Sequence, residues 1–523
     1  MKTLPQDADL DRLARHARFL FLLAVVVILF VNCFNVGNPI LERHAFRQTQ
    51  TALTAQMFLE HGFKLAYETP VLGEPWSMPL EFPLYQGIVA LLTFLTGASL
   101  TVVGRLVSLA FTLACCVPIH ATLKLLGIPR HARFFALAMF LTSPVYLFWS
   151  GTFMIESTAL FFALCFLYFA VRISEGEPSW RDFAGCAVFL ALALLQKVTT
   201  VLPMLPVAGV LVLARNWRSG RPLAFWAAAV GSVAVPLAIG WGWVAWTDAI
   251  KAHHPLAVTL TSKGLADWNY GRLDQRLSLY FWETLFKRVV WPSTGMVLGV
   301  LVVAMAFVRA DRKLRLLYSS LLALFLLPLL IFANVHFVHD YYQTAGAVFW
   351  SVLLGLAVAA VLEAARPGPR DWMAFLAGVV LLLNVHGFNE EYDVYKFQRI
   401  GDDNRTLQLA EFIRRETPPD LPVIWIGDDW TSEYAFYADR RSLTIPKWFD
   451  LDADMLHGRR YLSTPPSAVV SCPTHRTWTQ HYRELIAHET GVQPVRVADC
   501  LVYVLKRQPL SADRLPAKPA SPG

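Results

Sequence analysis

The sequence predicts an α-helical polytopic membrane protein of about eleven transmembrane helices, with interfacial helices in its first outer loop and a small C-terminal α/β extracytoplasmic domain. Three observations lead there. The 523 residues are 55% hydrophobic and only 16% charged, with a mean hydropathy of +0.43, which leaves too little polar surface to cover a soluble core of that size. Apolar runs recur, separated by short arginine-rich loops. The apolar excess stops near Asn389, where ordinary soluble composition begins.

The first apolar run, 19–34, follows Arg12, Arg15 and Arg18. Val31-Asn32-Cys33 offers neither a small-x-small cleavage site nor a lipoprotein site, so the run reads as an uncleaved anchor. Basic loops at 124–133, 172–181, 215–221, 309–315 and 366–370 are assigned, with the N-terminus, to the cytoplasm. An even number of crossings must then separate consecutive loops. Three apolar stretches precede the first loop: 18–36, 84–97 and 101–123. The middle one has about 14 residues, short of the roughly 20 a spanning helix needs, and is placed as a re-entrant or interfacial helix on the outer side. Later stretches pair without strain: 134–149 with 157–171, 183–195 with 199–214, 223–246 with 289–308, and 316–333 with 341–364. A last span, 372–388, leads outward. The predicted divisions are a membrane domain at 1–389, an extracytoplasmic α/β domain at 390–507, and a disordered Pro/Ser/Ala-rich tail at 508–523. The net charge of +7 follows from these loops, so it points to topology and not to nucleic acid.

Charge parity also sorts the polar motifs. The outward segments are 37–100, 150–156, 196–198, 247–288 and 334–340. In the first, the stretch from Arg47 to Glu60 has helical character, with Phe46, Leu53 and Met57 on one stripe, Arg47, Thr51 and Thr54 on another face, and Gly62 as its stop. This predicts an amphipathic helix at the membrane surface, and the alternative of a plain anchor suits Lys and Trp better than Arg-Gln-Thr-Gln-Thr. Glu81, in Glu-Phe-Pro-Leu-Tyr at the entrance to the short helix, is costly there without a partner or a task; a structural salt bridge is the alternative.

The late run Asn334–Gln343 holds His336, His339 and Asp340, which share a face if the helix begins that early, followed by Tyr341 and Tyr342. It suits a polar pocket better than a metal centre: no metal ligand set is assigned, and a divalent cation stays an open question. Lys197 punctuates two spans as either a snorkelling lysine or a phosphate contact, and Glu156 is either a helix N-terminal carboxylate or a wall of the same pocket. Cations, a carboxylate and aromatics around one outward mouth fit a substrate with an anionic phosphate, a lipid tail and a sugar. The cations hold the phosphate, the aromatics stack on the sugar, and a carboxylate takes the acceptor's proton.

The order of these motifs resembles bacterial GT-C glycosyltransferases of the protein-mannosyltransferase and aminoarabinose-transferase type. The run His-Ala-Phe-Arg-Gln-Thr-Gln-Thr-Ala at 44–52 is similar to the branch carrying His-x-Trp-Arg-Gln-x-Asp-Thr-Ala, and the resemblance covers about residues 15–390. It implies sugar transfer from a polyprenyl-phosphate donor to a lipid, glycan or protein acceptor, usually with inversion, at the periplasmic face of a bacterial inner membrane. His44, Arg47, Gln48, Gln50 and Thr51 stand in the first-loop motif. Glu81 stands before the half-helix, and His339, Asp340, Tyr341 and Tyr342 stand in the late motif. Phe46 replaces the usual Trp, and Gln50 replaces an Asp, so Glu42, Glu81 and Asp340 are rivals for the catalytic base. The rival classes are a non-enzymatic transporter or lipid flippase, and an O-antigen-ligase-like transferase with a diphosphate donor.

In the C-terminal domain, 406–415 reads as an amphipathic helix, and 423–426, 442–445, 468–470 and 501–505 as strands. Gly427–Trp430 is an ordinary turn or a ligand loop. Cys33, Cys115, Cys116, Cys165 and Cys186 lie in apolar runs, whereas Cys472 and Cys500 are available to pair if their domain is extracytoplasmic.

Overall fold

The computed structural model describes residues 7–293, 297–364, 371–446, 449, 451–473 and 480–507. The predicted basic loop 366–370 and the tail 508–523 lie outside the described residues. The chain opens with α1 (Asp7–Cys33), then α2 (Ala45–His61) and the half-length α3 (Leu84–Thr96), which stops at Gly97 in the left-handed region. There follow α4 (Leu100–Ala114), α5 (Cys116–Leu125), α6 (Arg130–Thr142), α7 (Pro144–Trp149), α8 (Glu156–Glu175), α9 (Trp180–Val201), α10 (Met204–Asn216) and α11 (Leu223–Ala252). Three short helices, α12 (Ala266–Tyr270), α13 (Leu273–Leu277) and α14 (Leu279–Val289), follow α11. The membrane part closes with α15 (Val297–Arg309), α16 (Arg312–Ile331), α17 (Ala333–Val338), α18 (Thr344–Ala364) and α19 (Asp371–Lys396).

Seven stretches among the described residues are long and apolar enough to cross a membrane, so this is a multi-pass membrane protein. The further crossings that the basic loops require fall on α6 with α7, α10, α15 and α19. Of these, α10 and α15 have 13 residues each, about 20 Å of helix against a core of about 30 Å. At the centre, α18 is buried all round, as a helix without a polar face must be. Gly355 lets it lie directly on α6, because a Cβ there would stand 2.5 Å from the Ala136 Cα.

The C-terminal domain holds α20 (Arg405–Glu416), β1 (Val423–Ile426), α21 (Glu433–Ala438), β2 (Ser442–Ile445), α22 (Ala453–Leu456), β3 (Ala468–Ser471), α23 (Gln480–Thr490), β4 (Val495–Val497) and β5 (Cys500–Val504). The sheet order is β2-β1-β3-β5-β4, with β2, β1 and β3 parallel and the remaining pairs antiparallel. The parallel strands are buried throughout, which explains their unbroken apolar runs. β4 went unread because Val495-Arg496-Val497 is short and largely exposed. Cys472 and Cys500 form a disulfide.

This domain docks on the first outer loop through main-chain pairing. Ser442 N–H donates to Pro70 O (3.0 Å), Thr444 N–H to Val71 O (2.8 Å), and Gly73 N–H back to Ser442 O (3.1 Å). The loop thereby covers the edge of β2. Gly73 has φ +82°, and a Cβ would stand 2.7 Å from Tyr461 O. Ser432 Oγ donates to Phe46 O (3.0 Å), and Ile40 N–H donates to the Tyr437 hydroxyl (2.7 Å). α2 is consequently buried from Arg47 to Ala55. The predicted helix is there, but from Arg47 to Ala55 it is buried on every side instead of lying at a membrane surface with a polar face in water. Thr49, Thr51 and Thr54 turn their hydroxyls back to carbonyls of their own helix.

Candidate active site

Two polar clusters meet at the mouth on the side of the first outer loop. The first is built on a break in α9. Lys197 leaves helical geometry (φ −164°, ψ 100°), and the freed backbone is taken up by the entrance to α3: Phe82 N–H donates to Leu195 O (3.0 Å) and Gln196 Nε2 to Phe82 O (3.1 Å). Tyr67 and Trp243 hold the same turn, donating to Glu81 O (2.9 Å) and Leu80 O (3.0 Å). Glu81 and Lys197, distant in sequence, are thus fixed to one another through backbone.

Lys197 Nζ stands 2.5 Å from Glu156 Oε1, with the pair 6% and 3% exposed, and 3.9 Å from the Tyr342 ring centroid. Tyr341 lies under the same ammonium at 5.0 Å. Beside it, Arg47 forms an ion pair with Glu81 and donates to Gln50 Oε1 (2.7 Å). Burial by itself would raise the Glu81 pKa, but Arg47, a backbone amide and Lys197 hold it below the ordinary carboxylate value.

The second cluster centres on Asp340. Arg43 Nε stands 2.6 Å from Oδ2 and His44 Nε2 2.8 Å from Oδ1. Arg43 also reaches Glu391 (3.3 Å) and lies over the rings of Tyr395 (5.0 Å) and Tyr392 (5.5 Å). His339 stacks on Tyr341, and its ring also neighbours His44, Phe46 and Trp268. Burial, with His44 and Lys197 nearby, takes its pKa down to about 3.

The predicted residues do not all converge. α17 ends at Val338 and His339 is extended, so His336, His339 and Asp340 do not share a helical face, contrary to expectation. His336 is fully buried beside Tyr342, its carbonyl accepting from Arg288 (2.7 Å) and Gln343 (2.9 Å). No group of three His, Cys, Asp or Glu side chains that could hold a metal ion occurs among the described residues. Glu42 belongs to a buried pair with Arg105 (2.8 Å), and Arg105 also donates to Gly151 O (3.2 Å). Gln48 accepts from Phe153 N–H (3.0 Å) and donates to Arg43 O (3.3 Å), a structural brace. Sequence reasoning passed over Arg43, Arg288 and Glu391. Arg43 adjoins the motif it serves, and Glu390-Glu391 directly after a span was a readable signal.

Comparison with known proteins gives one sequence match and several structural ones. Residues 78–243 match the dolichyl-phosphate-mannose-protein mannosyltransferase family. No curated protein matches the chain in sequence. The structure of ArnT from Cupriavidus metallidurans bound to undecaprenyl phosphate superposes with a TM-score of 0.63 at 14% identity, covering 93% of this chain and 97% of that one. AglB, the archaeal oligosaccharyltransferase from Archaeoglobus fulgidus, in complex with an inhibitory peptide and a dolichol-phosphate, gives 0.54 at 11% identity over 91% and 72%. The arabinofuranosyltransferase AftD from Mycobacteria gives 0.55 at 15% identity over 94% of this chain and 40% of its own. The chain thus shares its fold with ArnT, AglB and AftD.

Proposed function

We propose that this protein transfers a sugar from a polyprenyl-phosphate donor to a hydroxyl of a lipid, glycan or protein acceptor, at the periplasmic face of a bacterial inner membrane. The observation that carries the reading is the pairing of Arg47–Glu81 and Lys197–Glu156 around Tyr341 and Tyr342. Two buried cations, each balanced by a carboxylate, keep the mouth near neutral. A phosphate entering between them would draw charge-assisted hydrogen bonds from both cations. Those bonds strengthen as the sugar–phosphate bond breaks and charge builds on the phosphate, which lowers the barrier. The tyrosines and Phe46 offer apolar faces for the sugar ring. The undecaprenyl phosphate bound by ArnT supports this choice of donor.

The test is incubation of purified protein with a panel of labelled undecaprenyl-phosphate hexoses and pentoses, with and without membrane-derived acceptors. Transfer, or sugar release to water, from at least one donor is expected. A transporter would instead leave every donor intact while moving it across a vesicle membrane, and that outcome would overturn the reading.

A further inference from the structure

Every carboxylate around the mouth carries a cation: Glu42 with Arg105, Glu81 with Arg47, Glu156 with Lys197, and Asp340 with Arg43. A carboxylate held this way is a poor proton acceptor, because protonation would leave a buried cation unbalanced. Asp340 differs from the other three in also holding an imidazole. An ionised carboxylate can only accept, so the 2.8 Å contact requires His44 Nε2 to carry the hydrogen. In the neutral ring Nδ1 then keeps its lone pair, and it has no hydrogen-bond partner among the described residues. The ring is walled by Tyr341 (5.1 Å), His339 (5.2 Å), Trp149 (5.8 Å) and Phe46 (6.1 Å), yet the side chain remains 18% exposed. His44 also takes a left-handed backbone (φ 55°, ψ 41°) directly before α2, a conformation uncommon for a non-glycine residue.

We infer that His44 is the general base of the transfer, with Asp340 and Arg43 as positioning residues. This rests on the transfer reading above. The acceptor hydroxyl gives its proton to Nδ1 as its oxygen bonds to the anomeric carbon. The bond from that carbon to the phosphate oxygen breaks, and its electron pair leaves with the polyprenyl phosphate, beside Arg47 and Lys197. The imidazolium so formed is stabilised by Asp340 and later returns its proton to water. Asp340 fixes the tautomer, and Arg43, anchored between Glu391 and the Tyr392 and Tyr395 rings, fixes Asp340. His339 does not compete for the role: it is half-buried and stacked against Tyr341, and among the described residues no carboxylate holds its ring by a hydrogen bond.

The test compares wild type with His44→Gln, His44→Ala and Asp340→Asn in the labelled-donor assay, alongside donor binding and thermal unfolding. His44→Gln should lower transfer by about 10²–10⁴-fold with donor binding unchanged, and added imidazole should partly rescue His44→Ala. Asp340→Asn should lower kcat with the donor KM and donor binding unchanged. If wild type transfers while a folded His44→Gln keeps its rate, the base assignment is wrong and the transfer reading stands. If wild type turns over no donor, the transfer reading itself fails and the base assignment falls with it.

Discussion

Lys197 offers the sharpest separation of structure from chemistry. Its ammonium is 2.5 Å from Glu156, and the two side chains are 6% and 3% exposed. Lys197→Met leaves the carboxylate buried without a partner, which costs about 3–5 kcal/mol of stability. A buried pair contributes little net stability, because desolvation offsets its attraction. The double variant Lys197→Met/Glu156→Gln removes both charges and should therefore regain most of the loss. Transfer should not follow. If the ammonium stabilises the departing phosphate, the double variant stays about 10²–10³-fold slower than wild type, the usual cost of losing one such donor. Thermal unfolding in detergent reads the first quantity and the labelled-donor assay the second. A double variant restored in both stability and rate would show that Lys197 is only a structural counter-charge, and the phosphate reading of the mouth would have to be abandoned.

Three further outcomes are expected. Gly73→Ala puts a side chain on a positive-φ residue with Tyr461 O in its way, so it should cost about 1–3 kcal/mol and speed hydrogen exchange along β2; unchanged exchange there would refute the docking account. Replacing Cys472 and Cys500 by Ser opens a loop spanning 28 positions, a loss of roughly 3–4 kcal/mol on the chain-entropy account, read as a lower unfolding midpoint under non-reducing conditions. Glu433 has its pKa raised to about 7, chiefly by burial, with Asp428 adding like-charge repulsion. Since the folded state binds this proton more tightly than the unfolded one, stability should be greatest below an ordinary glutamate pKa. It should decline toward pH 7, by about 3 kcal/mol in all. Glu433→Gln should flatten that decline, and a parallel curve for the variant would count against it.

The parts of the molecule fixed by composition and period were legible from the residues. Loop charges located the hairpins, and the shortfall of 84–97 identified a helix that ends at Thr96. Four of the five strands were visible as apolar runs, because both faces of β1, β2 and β3 are buried. The site was half legible. Residue types at the outward ends of spans pointed to Arg47, Glu81, Lys197 and Asp340, but sequence carries no record of who faces whom. It could not reveal that each carboxylate would arrive with its own cation. Nor could it show that the helix at 333 would break before His339, which turned an expected shared helical face into two separate surroundings for the histidines. The burial of α2 was hidden for the same reason: what covers it lies at the far end of the chain.

That covering carries a consequence for biogenesis. The loop strand at 70–73 is borrowed by β2, and Glu68 and Arg441 close the same seam from 373 positions apart. The loop that carries α2 is made long before the strand and helix that cover it. Until α21 and β2 follow, the polar flank of α2 has nothing to rest on, and the edge of β2 does not yet exist to be masked. Maturation of the mouth is therefore a late event, gated by contacts of very long sequence separation. A chain interrupted between α19 and β2 would have its membrane helices in full and still present an unfinished entrance.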